Sequence, residues 1–159
     1  MLIGIFSDTH DDMAAIEKAI DFFNAKNVSH VIHAGDLVSP FTFEKFGELR
    51  CGLNGIFGNN DGDRLLLKEK SGGSLSTQPL FMTLNGKKIV VVHEPDLVNA
   101  LAESGHFDLV IYGHTHKAEV RKVKNTLVLN PGKVARLHKG ESTLAILDTE
   151  SMEARIVPL

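Results

Sequence analysis

Apolar residues in this chain fall into short continuous runs, separated by stretches in which they recur every three or four positions. Ile3 and Ile5 lie in a first strand that starts at Leu2. Met13-Ala14-Ala15-Ile16, Ile20, Phe22 and Phe23 follow at helical spacing, with Asp11 or Asp12 as the cap. Residues 28–34 read as a second strand, and Pro40 opens a short helix through Phe41, Phe43 and Phe46. Residues 51–57 read as a third strand and 63–70 as a short helix. Strand, helix, strand at this spacing predicts right-handed crossovers and a parallel sheet. Beyond Ser71-Gly72-Gly73-Ser74, read as a plain loop because it lacks the ending of a P-loop, the pattern changes. Residues 80–84 and 87–92 flank Asn85-Gly86, the favoured hairpin turn. A helix over 97–102 and a buried strand over 109–112 come next, then strands over 118–123, 126–129, 143–147 and 154–157. The first half thus reads βαβαβα and the second mostly antiparallel β. Two sheets packed face to face, with helices outside, reconcile the halves in an α/β fold.

Polar residues interrupt this pattern at matching places. Asp8 and His10 follow the first strand, Asp36 the second, Asn59 the third, His93 the hairpin, and His114 and His116 the strand at 109–112. Residues two apart on extended backbone point to one side, so Asp8 and His10 are expected to reach toward one point. Gly35, Gly58 and Gly113 precede three of the donor groups, where the chain must turn sharply or admit a close approach. A structural zinc site needs four ligands, usually with thiolates, and Cys51 is the only thiol. Seven mixed oxygen and nitrogen donors suit two divalent ions instead, with Mn, Fe, Ni or Zn fitting better than Ca or Mg.

Composition narrows the reading. The 159 residues suffice for one domain over 1–159 with a sizeable core. A net charge of −3 offers no broad cationic field for nucleic acid or membrane, although a local basic patch stays open. A lone cysteine, no transmembrane-length run and a strand starting at Leu2 make the cytoplasm the expected compartment.

The ordered series Asp8-Thr9-His10, Gly35-Asp36, Gly58-Asn59-Asn60-Asp61, His93 and Gly113-His114-Thr115-His116 resembles the calcineurin-like metallophosphoesterase superfamily. The small size and Asn130-Pro131-Gly132 resemble its compact YfcE-like phosphodiesterase branch. The resemblance implies a four-layer α/β/β/α sandwich of two mixed sheets, holding two divalent ions, manganese ahead of iron, nickel or zinc. It implies that Asp8, His10 and His116 hold one ion, that Asn59, His93 and His114 hold the other, and that Asp36 bridges them. The implied chemistry is in-line attack on a small phosphodiester by a hydroxide shared between the ions. Asp61 is expected either to orient a ligand, an imidazole first, or to cap the following helix. Self-association is compatible with the resemblance.

Three residues depart from the superfamily pattern. Asn60 stands near the leaving group where many members carry His; an amide has no proton to give, which predicts a preference for good leaving groups. Glu94 replaces the Gly that usually follows the His, and is expected to point away. Lys133 replaces a commoner Ser and is expected to be solvated, with contact between substrate phosphate and Lys133 or Arg136 as the alternative. His30 and His33 lie on the second strand, where His33 reads as core or as support behind the ligands, and His106 and His138 read as surface. Cys51 reads as a small buried hydrophobe, Phe41, Phe43 and Phe46 as core, and Lys68 and Lys70 as a solvated helix end. Alternatives on the same site are a phosphomonoesterase, a nuclease, or a non-catalytic metal-binding scaffold such as a related retromer subunit. The intact donor set argues against the scaffold.

Overall fold

The computed structural model describes residues 1–136 and 139–159; the reading of His138 lies outside them. Strand β1 (Leu2–Phe6) leads into helix α1 (Met13–Ala25), whose cap is Asp12, accepting from the Ala15 N–H at 3.2 Å. Strand β2 (His30–His33) is shorter than its apolar run. A 3-10 turn (Pro40–Thr42) continues into α2 (Phe43–Phe46), followed by β3 (Gly52–Ile56) and α3 (Arg64–Lys70). A two-residue strand, β4 (Leu75–Ser76), comes next; two residues carry no periodicity, so the pattern had not revealed it. The hairpin β5 (Leu80–Leu84) and β6 (Lys87–Val91) turns through Asn85 and Gly86, both at positive φ as this turn requires. A 3-10 turn (Pro95–Leu97) and α4 (Val98–Glu103) precede β7 (Leu109–Ile111), β8 (Glu119–Val123), β9 (Thr126–Asn130), β10 (Thr143–Asp148) and β11 (Glu153–Pro158).

The strands form two mixed sheets, ordered β11-β10-β1-β2-β3-β4 and β5-β6-β7-β9-β8. The expected division into an N-terminal parallel and a C-terminal antiparallel half needs two corrections. Strands β6, β7 and β9 run parallel to one another. The last hairpin joins the first sheet, with β10 antiparallel to β1 and Leu2 opposite Asp148. The physical reason is that β1 would otherwise be an open apolar edge, and edges of that kind are covered or paired.

Side-chain alternation assigns the layers. Ile3, Ile5, Ile32, Ala145 and Leu147 face Ile89, Val91, Leu109, Ile111 and Leu129 between the sheets. Phe6 and Val31 point the other way, into a layer filled by Ile16, Ile20 and Phe23 of α1, Phe46 of α2 and Leu67 of α3. On the far side α4 packs Val98 and Ala102 onto Val90, Val110 and Val128. The order helix, sheet, sheet, helix is therefore the expected four-layer sandwich. No helix among the described residues is long and apolar enough to cross a membrane.

Candidate metal centre

All seven donors predicted from the strand ends come together at one end of the two sheets. His116 Nε2 lies 3.1 Å from Asp8 Oδ1 and 3.3 Å from His10 Nε2. His10 Nε2 is 3.6 Å from both Asp8 Oδ1 and Asp36 Oδ2. On the other side of Asp36, His93 Nε2 is 3.3 Å from its Oδ2 and 3.0 Å from Asn59 Oδ1. Asn59 Oδ1 in turn lies 2.8 Å from His114 Nδ1. Ligand atoms of Asp8, His10 and His116 all fall within 4.8 Å of one another, as do those of Asp8, Asp36 and His93. Asp36 thus stands between two clusters, and Asp8 reaches both. Buried carboxylate oxygens with imidazole nitrogens at this spacing fit divalent transition metals.

The backbone that delivers these donors is not extended. Strand β1 stops at Phe6, so the two-apart argument for Asp8 and His10 fails. Asp8, His10, Asp36, His114 and His116 all adopt positive φ, between 39° and 65°. This left-handed region is uncommon for residues with a Cβ, and such strain gathers at functional sites. Loop-to-loop bonds hold it in place: Asp8 N–H to the Gly35 carbonyl at 2.9 Å, and His10 N–H to that of Asp36 at 3.2 Å. Two glycines supply the room. A Cβ at Gly58 would collide with the Asp36 carboxylate, and one at Gly113 with the Ser7 hydroxyl.

The second layer of contacts differs from expectation in several places. Asp61 neither holds an imidazole nor caps α3, which Asp63 caps at 3.1 Å. Its carboxylate instead accepts three backbone N–H groups, from Asp36 (3.0 Å), Val38 (2.7 Å) and Gly58 (2.7 Å). It therefore ties the Asp36 loop to the Asn59 loop. Asn60 turns its amide onto Asp36 Oδ2 at 2.7 Å. Lys133 is not solvated: it is fully buried, and its Nζ donates to the Ala135 carbonyl at 2.8 Å. Arg136 grips the Asp12 carboxylate through Nε and Nη2, at 2.9 and 2.7 Å, and holds that carboxyl down at about 2. Glu94 is taken by the side-chain amide of Gln78, whose Oε1 accepts the His93 N–H at 2.6 Å.

Gln78 and Asn130 were not singled out as supports. Asn130 Nδ2 donates to the Gly113 carbonyl (2.9 Å) and Thr115 Oγ1 (3.0 Å), bracing the loop that carries His114 and His116. Only the Asn130-Pro131-Gly132 run marked it in the sequence. His93 Nδ1 donates to the Ala34 carbonyl at 2.7 Å, which aims Nε2 at Asp36 and Asn59. Metal-binding histidines are habitually oriented this way.

Electrostatics fit the same picture. Burial works against the Asp8 charge, yet hydrogen bonds from His10, His116 and Ser7 hold its carboxyl well below the usual range. Burial likewise opposes ionised Asp36, and the His93 and Asn60 contacts outweigh it. For His93, burial disfavours the proton, but Asp36 and the Ala34 carbonyl push its pKa up to about 9. The contact with Asp8 raises that of His10. Two buried carboxylates thus draw positive charge into the site, and divalent cations would supply more of it than imidazolium does.

The residues set aside fall mostly where expected. His33 is buried on the outer face, its Nδ1 accepting from the Gly35 N–H (3.1 Å) and its Nε2 beside Thr9 Oγ1 (3.3 Å). Burial lowers its pKa to about 3. His30 pairs with Asn54, His106 is exposed, and half-buried Cys51 packs against the outer core, where burial raises its pKa. Lys68 and Lys70 are exposed. Phe43 stacks on Phe46, but Phe41 is 58% exposed and is not core: it lies on the 3-10 turn, out of phase with α2.

Comparison with known proteins agrees. Residues 1–152 match the calcineurin-like phosphoesterase superfamily domain. The chain is 39% identical to the phosphodiesterase MJ0936 of Methanocaldococcus jannaschii, over 100% of this chain and 99% of that one. A solved structure described as a novel archaeal phosphodiesterase superposes with a TM-score of 0.95 at 38% identity, covering 100% of both chains. The Escherichia coli phosphoesterase YfcE shares the fold, with a TM-score of 0.76 at 18% identity, covering 99% of this chain and 98% of its own. By sequence, fold and the assembled donor set, the chain belongs to the calcineurin-like phosphoesterase superfamily, in its compact branch.

Proposed function

We propose that this protein is a metal-dependent phosphodiesterase that hydrolyses a small phosphodiester at the Asp36-centred site. The observation that carries the reading is Asp36 itself, buried between His10 at 3.6 Å and His93 at 3.3 Å. Asp8, His10 and His116 would hold one divalent ion and Asn59, His93 and His114 the other, with Asp36 shared; manganese is the first candidate. Ions held there would supply a water nucleophile ionised near neutral pH and would neutralise charge growing on the phosphoryl group. The chain's own part is placement. The left-handed loops fix the carboxylates, the Ala34 carbonyl fixes the His93 ring, and Asp61 keeps the two central loops in register. Asn60, exposed beside Asp36, can donate a hydrogen bond but no proton. The leaving group must therefore depart as an anion or take its proton from water, which favours aryl over alkyl esters. The phosphodiesterase MJ0936, similar along its whole length, supports a diester over a monoester.

The test is metal analysis after gentle purification, with hydrolysis of aryl diesters and monoesters measured with and without added Mn²⁺. Mn²⁺-dependent turnover of the diester is expected, rising as leaving-group pKa falls. Stoichiometric metal without turnover of any ester would contradict the proposal and favour the scaffold.

A further inference from the structure

His33 is a fully buried imidazole that the proposed hydrolysis leaves without a part. It sits in the outer layer, its ring centroid 4.6 Å from that of Phe6 and 5.9 Å from that of Phe46. An apolar side chain would fill a slot between phenyl rings as well, and would bring no ring nitrogens in need of partners. Here both nitrogens have partners, and each partner lies in a loop that carries proposed metal ligands.

Strands β1 and β2 pair in parallel with Phe6 opposite His33, so the ring at the end of β2 lies beside the loop that leaves β1. The Gly35 N–H donates to Nδ1 at 3.1 Å. A ring nitrogen that accepts carries no proton, so in the neutral imidazole the proton is on Nε2. Nε2 therefore donates to Thr9 Oγ1 at 3.3 Å. The hydroxyl, having accepted that bond, gives its own proton to the Asp36 carbonyl at 3.4 Å. Thr9 is itself fully buried and stands between Asp8 and His10. The relay thus begins and ends on the Gly35–Asp36 loop and passes through the middle of the Asp8–His10 loop. Gly35, Asp8, His10 and Asp36 all have positive φ, so both loops hold conformations that their surroundings must enforce.

We propose that His33 is a positioning residue for the metal centre, which it sets through Thr9 by holding the Asp8–His10 loop against the Gly35–Asp36 loop. The inference rests on the reading of this site as a metal centre. The ring's hydrogen bonds go to the Gly35 N–H and the Thr9 hydroxyl rather than to a ligand side chain, so its effect is on placement. Its direction is set by the tautomer: with the proton on Nδ1, both the Gly35 bond and the relay through Thr9 would be lost. Contacts that stand behind metal ligands typically change metal affinity by about 10–100-fold when removed.

In the metal-free protein near neutral pH, a long-range proton–nitrogen NMR spectrum should show His33 protonated on Nε2 and bare on Nδ1. In calorimetry with Mn²⁺ alone, Thr9→Val should bind about tenfold more weakly than the wild type. Thr9→Ser restores the hydroxyl and should return the affinity to within about twofold. His33→Leu should lose as much as Thr9→Val, and the double variant no more than either, because ring and hydroxyl act in one chain. His33→Gln, which keeps a side-chain N–H for Thr9, should recover part of the loss. Thermal unfolding of each variant shows that the folded state is being compared. A ring that only fills space would leave Mn²⁺ affinity unchanged in folded His33→Leu. That result, a proton on Nδ1, Thr9→Val binding as tightly as Thr9→Ser, or additive losses in the double variant would overturn the inference. No Mn²⁺ uptake by the wild type would instead overturn the proposed function, and this inference with it.

Discussion

The layer between the sheets and the loops at their end are built on opposite principles. Between the sheets, Ile3, Ile5, Ile89, Val91 and Ile111 sit on extended backbone that any β-branched residue prefers, fully or almost fully buried, with no polar group to satisfy. A few residues along the same strands, Asp8, His10, Asp36, His114 and His116 adopt left-handed backbone. Two of them are carboxylates buried as deeply as the isoleucines. The first region lowers the free energy of the fold. The second spends part of that stability on a fixed array of charge. Separating the two should be possible by mutation, and each prediction below tests whether they separate.

The largest effect is expected at Asp36. Asp36→Asn keeps the shape but halves the anionic charge at the centre. Diester hydrolysis should fall by more than about 100-fold, beyond the 10–100-fold typical of residues standing behind a ligand. The thermal transition should survive; a variant that loses activity only by unfolding would erase the distinction between the regions.

Asp61 comes next, because it touches no proposed metal ligand side chain yet ties two ligand loops together. Asp61→Ala strips three backbone N–H groups of their acceptor. Metal affinity measured by calorimetry should weaken about 10–100-fold, and Asp61→Asn, which retains an acceptor oxygen, should recover part of it.

The inter-sheet layer should behave in the reverse way. Ile111→Ala, at a fully buried position, should cost about 2–5 kcal/mol in denaturant unfolding. Activity per folded molecule should stay unchanged. A fall in kcat at full folding would mean that the layer also positions the loops.

The last effect, away from neutral pH, is a pH dependence of stability in the metal-free protein. His33 is neutral and buried, with its pKa lowered to about 3 against an ordinary value of 6.5. Above 6.5 neither state binds its proton. Below that the unfolded chain takes one up and the native state does not, so stability falls as the pH drops from 6.5 toward 3. The full slope is about 1.4 kcal/mol per pH unit. His33→Gln should flatten that limb of the curve; an unchanged slope would assign it to other groups.

The contrast also explains what could be read from the sequence. Apolar runs and alternation depend on neighbours close in sequence, so every strand but the two-residue β4 was legible. The donors were legible because each interrupts that alternation at a strand end. Their conformation was not: left-handed Asp8 and His10 are imposed by bonds to Gly35 and Asp36, distant in sequence. For the same reason the sequence offers Asp61 an imidazole to orient or a helix to cap, whereas it holds backbone amides. The Lys133 ammonium finds its carbonyl partners in a loop that no periodicity describes. Nor does local pattern say which sheet the β10–β11 hairpin joins, since its strands would fit either.

Anomalous diffraction from crystals soaked in Mn²⁺ tests the central claim most directly. The account predicts two peaks flanking the Asp36 carboxylate, one beside Asp8, His10 and His116, the other beside Asn59, His93 and His114. A single peak away from Asp36, or none at a concentration that supports hydrolysis, would contradict it.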